Sequence, residues 1–255
     1  MPSARHPADL LVAGYRLEIH TVDGDEPRLV FLHEGLGSAG LWRGFDELVA
    51  EATGRATLAY SRAGHGWSDP AALPRSPDFM HNEALVVLPA LLEEMKPRKP
   101  PVLVGHSEGA SIALIHAASH AVAGLVLLAP HVFVEAESIA EVEAARVRFE
   151  TTDLPERMAR HHRDAAATFY GWNDIWLDPD FREWNIEGCL PAIDCPTLLI
   201  QGRDDEYGTL AQIDVVEAGI SAPVRRLILE DCGHAPHLDR PERVLEALAG
   251  FISAG

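Results

Sequence analysis

A serine, a histidine and two aspartates stand in the chain where their types and spacing suit nucleophilic catalysis. Ser107 is the centre of the pentapeptide GHSEG (105–109), at which an apolar run meets a helix-like run with almost no turn between them. In that context a G-x-S-x-G pentapeptide is typical of a nucleophile elbow, a strained turn that exposes the serine hydroxyl. Gly105 and Gly109 keep Cβ atoms out of the space that neighbouring backbone needs, and the following helix points its N-terminus at the serine. The pentapeptide therefore predicts a serine nucleophile.

A serine hydroxyl is a weak nucleophile until a base removes its proton, and a base and a carboxylate follow later in the chain. His234 lies in LILEDCGHAPHLDRPE (227–242), and Asp204 and Asp205 lie in LLIQGRDDEYG (198–208). Each group comes just after a predicted strand, and ligands of open α/β sheets bind at the carboxyl ends of the strands. We expect His234 to be the base and one of the two aspartates to orient it.

Short apolar strands alternate with helix-like segments around these residues, which indicates an α/β fold with a mostly parallel twisted sheet and helices on both faces. The strands are predicted over residues 15–22, 28–33, 56–61, 101–107, 122–130, 196–202 and 224–230. Helices are predicted over residues 41–52, 79–95, 107 to about 120, and 240–253, with Pro89 placed to kink the second.

The stretch 131–190 breaks this rhythm because it holds no good buried strand and contains three of the five tryptophans. We interpret it as a small helical cap, inserted after the sixth strand into an α/β core of residues 1–130 and 191–255. Such a cap would line an acyl or aromatic pocket, although its tryptophans could equally pack on the core. The pocket candidates are Leu36, His131, Phe133, Trp172 and Trp176.

The same segments resemble the α/β-hydrolase fold superfamily over nearly the full length of the chain. The resemblance lies in FLHEGLGS (31–38), AYSRAGHGWSD (59–69), VGHSEGA (104–110), IQGRDDEYG (200–208) and CGHAPHLDRPE (232–242). It implies a triad of Ser107, His234 and an aspartate. The acid of such enzymes usually closes a G-x-x-D motif, which selects Asp205 and leaves Asp204 as the alternative.

The resemblance also implies an oxyanion hole of two backbone N–H donors. Glu108, directly after Ser107, would supply one. The other would come from the loop after the second strand, where Gly35 is the favoured donor and Leu36 the alternative. Glu34 stands in that loop where the family usually has glycine. Because a carboxylate near an oxyanion would oppose catalysis, we expect the Glu108 side chain to turn away and find a donor, with solvent exposure as the alternative.

The composition narrows the partners of this chain. Its 39 acidic and 21 basic residues give a formal charge of -18, which argues against nucleic-acid and anionic-membrane surfaces. Three cysteines and no export signal predict reduced thiols and a cytoplasmic location. His161 and His162 have no partners at zinc-ligand spacing, so we expect no metal and no cofactor. The expected partner is a small-molecule substrate, and the sequence carries no signal on oligomeric state.

These expectations describe a serine hydrolase that cleaves a small carboxylic ester through an acyl-enzyme. One alternative is a hydrolase of the carbon–carbon bond in an aromatic ring-cleavage product, since the same triad serves both reactions. Another is a receptor that keeps the pocket and binds a ligand without catalysis. His237, close to the expected base, is assigned to packing or to the rim of the site.

Overall fold

An eight-stranded sheet forms the centre of the computed structural model, which describes residues 6–254. Its strands are β1 (His6–Val12), β2 (Tyr15–Val22), β3 (Asp25–Leu32), β4 (Arg55–Tyr60), β5 (Val102–His106), β6 (Gly124–Leu128), β7 (Thr197–Gly202) and β8 (Val224–Leu229). The order across the sheet is β1-β2-β4-β3-β5-β6-β7-β8. β2 pairs antiparallel with β1 and β4, and the other neighbouring strands pair parallel. The mostly parallel sheet predicted from the sequence is confirmed.

The strand β1 was not predicted. It forms a hairpin with β2, in which Val12 pairs with Tyr15 across a two-residue turn. The turn residues Ala13 and Gly14 have φ angles of 50° and 87°. Positive φ at both central residues suits the right-handed twist of paired strands. Residues 6–12 form a strand because they pair with β2 across this turn, and not because apolar and polar residues alternate within them.

Helices cover both faces of the sheet. They are α1 (Phe45–Thr53), α2 (Phe79–Asn82), α3 (Leu88–Met95), α4 (Glu108–Ala117), α5 (Ala136–Thr151), α6 (Leu154–Met158), α7 (Ala165–Leu177), α8 (Leu210–Gly219), α9 (Pro236–Asp239) and α10 (Pro241–Ala254). The helix predicted over 79–95 is divided, because a π-helical turn over Glu83–Val87 separates α2 from α3. Pro89 lacks an N–H and crowds the preceding turn, and the wider turn accommodates it. Across residues 6–254, no helix is both long and apolar enough to span a membrane.

The chain between β6 and β7 contains α5, α6 and α7 and short 3₁₀ turns at Pro179–Phe181 and Glu187–Ala192. We call residues 131–190 the insertion segment. Apolar side chains of this segment, such as Phe169 and Phe181, are fully buried in one hydrophobic cluster with core residues of the sheet and α4. The division of the chain into a core and a separate cap stays a prediction.

The parallel strands bring the predicted site residues to one edge of the sheet. β5 ends at His106, β7 at Gly202 and β8 at Leu229, and all three strands run in the same direction. Ser107 follows β5 directly, and the loops after β7 and β8 carry the predicted acid and base. The topology thus places three distant parts of the sequence side by side.

Candidate active site

The backbone of Ser107 is strained at the junction of β5 and α4. Its φ of 54° lies in a range that residues other than glycine rarely adopt. A Cβ atom at Gly105 would lie 2.4 Å from the Gly109 carbonyl oxygen. A Cβ atom at Gly109 would lie 2.0 Å from the carbonyl oxygen of Leu32, on the neighbouring strand. Both positions therefore require glycine for this turn to form.

Ser107, His234 and Asp205 form a continuous hydrogen-bonded chain. The Oγ atom of Ser107 lies 2.9 Å from Nε2 of His234. The carboxylate oxygens of Asp205 lie 2.8 and 2.9 Å from Nδ1 of His234. The side chain of Asp205 is almost completely buried, whereas Asp204 is exposed. The structure therefore brings Asp205, and not Asp204, to the histidine.

The charge states in this chain follow from its contacts. Burial alone would raise the pKa of Asp205, but His234 and the Tyr207 N–H outweigh it and lower that pKa. Burial alone would lower the pKa of His234, but the Asp205 carboxylate outweighs it and raises that pKa. The Nδ1–H of His234 donates to the carboxylate, so the lone pair of Nε2 faces the hydroxyl of Ser107. The arrangement can therefore accept the serine proton at Nε2.

A cavity of about 330 Å³ opens beside Ser107 and His234. Four of the five pocket candidates line it, namely Leu36, His131, Trp172 and Trp176. Phe133, the fifth candidate, is not among the residues that line this cavity; its backbone forms an isolated bridge with Asn185, and its side chain packs against the hydrophobic core. Burial lowers the pKa of His131 to about 3, so this imidazole is a neutral wall of the cavity.

Three carboxylates also line the cavity: those of Glu34, Glu206 and Asp239. The last two accept hydrogen bonds from the backbone N–H groups of His234 and Gly233. Burial alone would raise the pKa of Glu34, but neighbouring histidines outweigh it and hold that pKa far below its usual range. In the described part of the chain, no lysine or arginine lines this cavity. Its potential therefore disfavours anionic ligands.

The Glu108 side chain is buried and finds two donors, although its Oε1 atom stays close to Gly35. Its Oε2 atom accepts from Nη2 of Arg62 at 2.8 Å, and its Oε1 atom accepts from Nε1 of Trp176 at 2.7 Å. The backbone N–H groups of Glu108 and Gly35 have no protein acceptor within residues 6–254. Gly35 lines the cavity, and Glu108 directly follows Ser107, which also lines it.

Comparison with known proteins assigns the fold to a family. Residues 29–247 match the model of the alpha/beta hydrolase family. The chain belongs to the alpha/beta hydrolase family. A curated relative, the sn-1-specific diacylglycerol lipase ABHD11 of Mus musculus, is 34% identical over 101 residues, which cover 39% of this chain and 31% of that protein. The alignment with this relative thus spans about a third of the relative's length.

Solved structures share the same architecture. A membrane phospholipase A, described as a bacterial virulence factor, has a TM-score of 0.81 and 20% identity over 98% of this chain and 86% of the other. Est816, described as an N-acyl homoserine lactone degrading enzyme, has a TM-score of 0.72 and 26% identity over 96% of this chain and 100% of the other. Both structures match this chain over nearly its full length.

In this alpha/beta hydrolase, His106 contacts two residues of the site, and the sequence did not predict these contacts. Its Nε2 atom lies 2.6 Å from the carbonyl oxygen of His234, so this nitrogen carries a proton, and its Nδ1 atom lies 3.5 Å from Glu34. The only local signal was its place within the pentapeptide. His237 is buried against Trp42, and burial lowers the pKa of His237 to about 3. This environment fits a packing role for His237.

In the part of the chain that the structure describes, the side chains that could bind metals form no metal site. Within residues 6–254, no three His, Cys, Asp or Glu side chains are arranged to hold a metal ion. His162 is buried and accepts from the Gly66 N–H, whereas His161 is exposed. The cysteines are free thiols, and burial raises the pKa of each to about 11.

Proposed function

We propose that the protein is a serine hydrolase that cleaves small carboxylic esters through an acyl-enzyme. The observation that carries the proposal is the 2.9 Å contact between Ser107 Oγ and His234 Nε2, with Asp205 on the far side of the imidazole. In this proposal Ser107 is the nucleophile, His234 is the general base and Asp205 orients the base and stabilises its charge. The backbone N–H groups of Gly35 and Glu108 bind the oxyanion.

The proposed reaction proceeds in two halves. In the first, His234 Nε2 takes the hydroxyl proton while Ser107 Oγ bonds to the carbonyl carbon, and the carbonyl electrons move onto the oxygen. When this intermediate collapses, the bond to the alcohol oxygen breaks and the alcohol leaves with the proton from His234. In the second half, a water gives a proton to His234 and attacks the acyl carbon. Ser107 then leaves with that proton, and the carboxylic acid is released.

The cavity favours a small, uncharged ester. Its volume of about 330 Å³ is near the lower end for ligand pockets, and Trp172, Trp176 and Tyr207 give it aromatic walls. The carboxylates that line it disfavour the anionic dienoate that a carbon–carbon hydrolase would cleave. The names of the mouse lipase and of Est816 also point to ester and lactone bonds. An ester or lactone is therefore the substrate class that we propose.

Labelling with a fluorophosphonate tests the proposed nucleophile. Wild-type protein is expected to be labelled and to hydrolyse p-nitrophenyl acetate, and Ser107→Ala is expected to lose both properties without losing its fold. Ser119→Ala is the matched control, because Ser119 is exposed beyond the far end of α4. A folded wild-type protein that takes no label would instead support the receptor. Turnover of a ring-cleavage dienoate in preference to the ester would support the carbon–carbon hydrolase.

A further inference from the structure

The segment AYSRAGHGWSD (59–69) contains the residue that holds the loop of the proposed oxyanion hole. Arg62 Nη1 donates to the His33 carbonyl at 2.7 Å, and Arg62 Nη2 donates to the Glu34 carbonyl at 3.1 Å. In a trans peptide the C=O and N–H bonds point in opposite directions. The Glu34 carbonyl also lies 2.7 Å from His33 Nδ1 and accepts from the Gly37 N–H at 3.1 Å. These three contacts fix the Glu34 carbonyl, so the N–H of Gly35 is directed to the opposite side. Arg62 thus helps to set the direction of one proposed oxyanion donor.

Arg62 is itself held by Glu108, whose backbone N–H is the other proposed donor. The Arg62 Nη2 and Glu108 Oε2 atoms lie 2.8 Å apart, and the two side chains are 5% and 1% exposed. An ion pair this deeply buried has a defined geometry, since neither charge has water as an alternative partner. It therefore joins the two halves of the proposed oxyanion hole, the loop with Gly35 and the elbow with Glu108.

The second carboxylate oxygen of Glu108 is bonded to the insertion segment. Trp176, on α7, donates its Nε1–H to Glu108 Oε1 at 2.7 Å. This oxygen lies close to Gly35, since a Cβ atom at Gly35 would be 3.2 Å from it. A carboxylate oxygen in that place repels an oxyanion bound by the Gly35 N–H, and a hydrogen-bond donor reduces the repulsion. The indole N–H is that donor.

We propose that Trp176 is a positioning residue for the oxyanion hole, acting through Glu108 and Arg62. The proposal rests on the proposed function, because it gives the insertion segment a part in stabilising the transition state in addition to lining the cavity. Removal of the indole N–H leaves Glu108 Oε1 without its donor beside Gly35. The repulsion between Glu108 Oε1 and the oxyanion then raises the energy of the transition state. The value of kcat therefore falls while substrate binding changes little.

The test compares Trp176→Phe with Trp184→Phe. Both substitutions remove an indole N–H from the insertion segment. Within residues 6–254, however, Nε1 of Trp184 is buried without a hydrogen-bond partner, and Trp184 does not line the cavity. With p-nitrophenyl acetate, W176F is expected to lower kcat about tenfold, with KM changed by less than about twofold, because a lost bond to a charged group is worth this much. W184F is expected to keep both constants within about twofold of wild type.

A boronic acid provides a second readout that a lining role would not move. Phenylboronic acid forms a tetrahedral anion on a serine nucleophile and therefore needs the oxyanion hole, whereas acetanilide binds as an uncharged amide. W176F is expected to bind the boronate about tenfold more weakly and acetanilide with unchanged affinity. The pH at which kcat/KM rises is expected to stay where it is, because Asp205 and His234 are untouched.

The Glu108→Gln variant probes the same contact from the other side. Its amide lacks the negative charge near Gly35, so adding W176F to E108Q is expected to have less effect than adding W176F to wild type. Independent, fully additive effects of E108Q and W176F would contradict the proposed link. So would an active W176F enzyme with unchanged kcat and boronate affinity, or one in which only KM rises. A wild-type protein with neither esterase activity nor fluorophosphonate labelling would overturn the proposed function and this inference with it.

Discussion

Replacement of Asp205 by asparagine changes the charge of the proposed triad with little change in shape. The side chain is buried, so the variant cannot replace the lost carboxylate with bulk water. Asparagine offers one acceptor oxygen and an NH₂ donor. Its NH₂ group would face donors that now bond to the carboxylate, and His234 would be free to adopt the tautomer with its proton on Nε2. That tautomer cannot take the proton of Ser107.

The magnitude follows from the contacts of Asp205. Its carboxylate accepts hydrogen bonds from His234 Nδ1, from the N–H groups of Tyr207 and Gly208, and from the Gln201 amide. The donor–acceptor distances lie between 2.7 and 3.2 Å. Removing one partner of a buried charged pair costs about 3–5 kcal/mol. Since about 1.4 kcal/mol corresponds to tenfold in rate, kcat is expected to fall by about 10²–10⁴.

The assay is hydrolysis of p-nitrophenyl acetate, with thermal melting to verify that each variant is folded. Asp204→Asn is the matched control, because it makes the same change at the preceding, exposed position. D204N is expected to remain within about twofold of wild type. The pKa of His234 is expected to fall in D205N, so the acidic limb of any residual activity moves to lower pH. A D205N enzyme with more than a tenth of wild-type kcat, or a D204N enzyme that loses activity instead, would refute the assignment.

Three further predictions concern pH, the elbow and the charge of the substrate. Asp205 raises the pKa of His234, and the proposed base must be neutral to act. The kcat/KM of wild type is therefore expected to rise with pH through an inflection above 6.5. An inflection below 6.5 would contradict this. Gly109→Ala is expected to lower the free energy of unfolding by about 1–3 kcal/mol in a urea titration, because its Cβ would lie 2.0 Å from Leu32 O. Gly188→Ala, where a Cβ meets nothing within 4 Å, is the control and should be near neutral. The mono-p-nitrophenyl ester of succinate is expected to have a lower kcat/KM than the uncharged p-nitrophenyl butyrate, by about tenfold at low salt, with the gap narrowing as salt is added; equal values for the two esters at low salt would remove the electrostatic argument.

Local sequence accounts for the parts of the site that depend on neighbours in the chain. The elbow could be predicted because its cause is local: Gly105 and Gly109 are the positions at which a Cβ atom would strike backbone. The preference for Asp205 came from motif register, and the geometry agrees because the loop after β7 turns that carboxylate to His234. The sheet could be predicted because buried parallel strands read as short apolar runs.

Contacts between distant segments could not be predicted in the same way. Glu108 and Trp176 are 68 residues apart, and no pattern in one chain signals that an indole N–H will meet that carboxylate. His106 and the carbonyl of His234 are 128 residues apart. Phe133 was expected in the pocket because it follows a strand end, but it is not among the residues that line the cavity, and its backbone pairs with Asn185, also within the insertion segment. These features depend on tertiary packing rather than on local propensity.

The central claim is that Ser107 is acylated during turnover. Mass spectrometry of acid-quenched enzyme tests it most directly, after mixing with p-nitrophenyl acetate for less than one turnover. The account predicts a mass increase of one acetyl group, located by peptide fragmentation on Ser107, that forms with a burst of p-nitrophenol when deacylation is the slower half. It predicts no adduct in Ser107→Ala. Hydrolysis of the ester with the acetyl group on another residue, or at an undiminished rate in Ser107→Ala, would contradict the account.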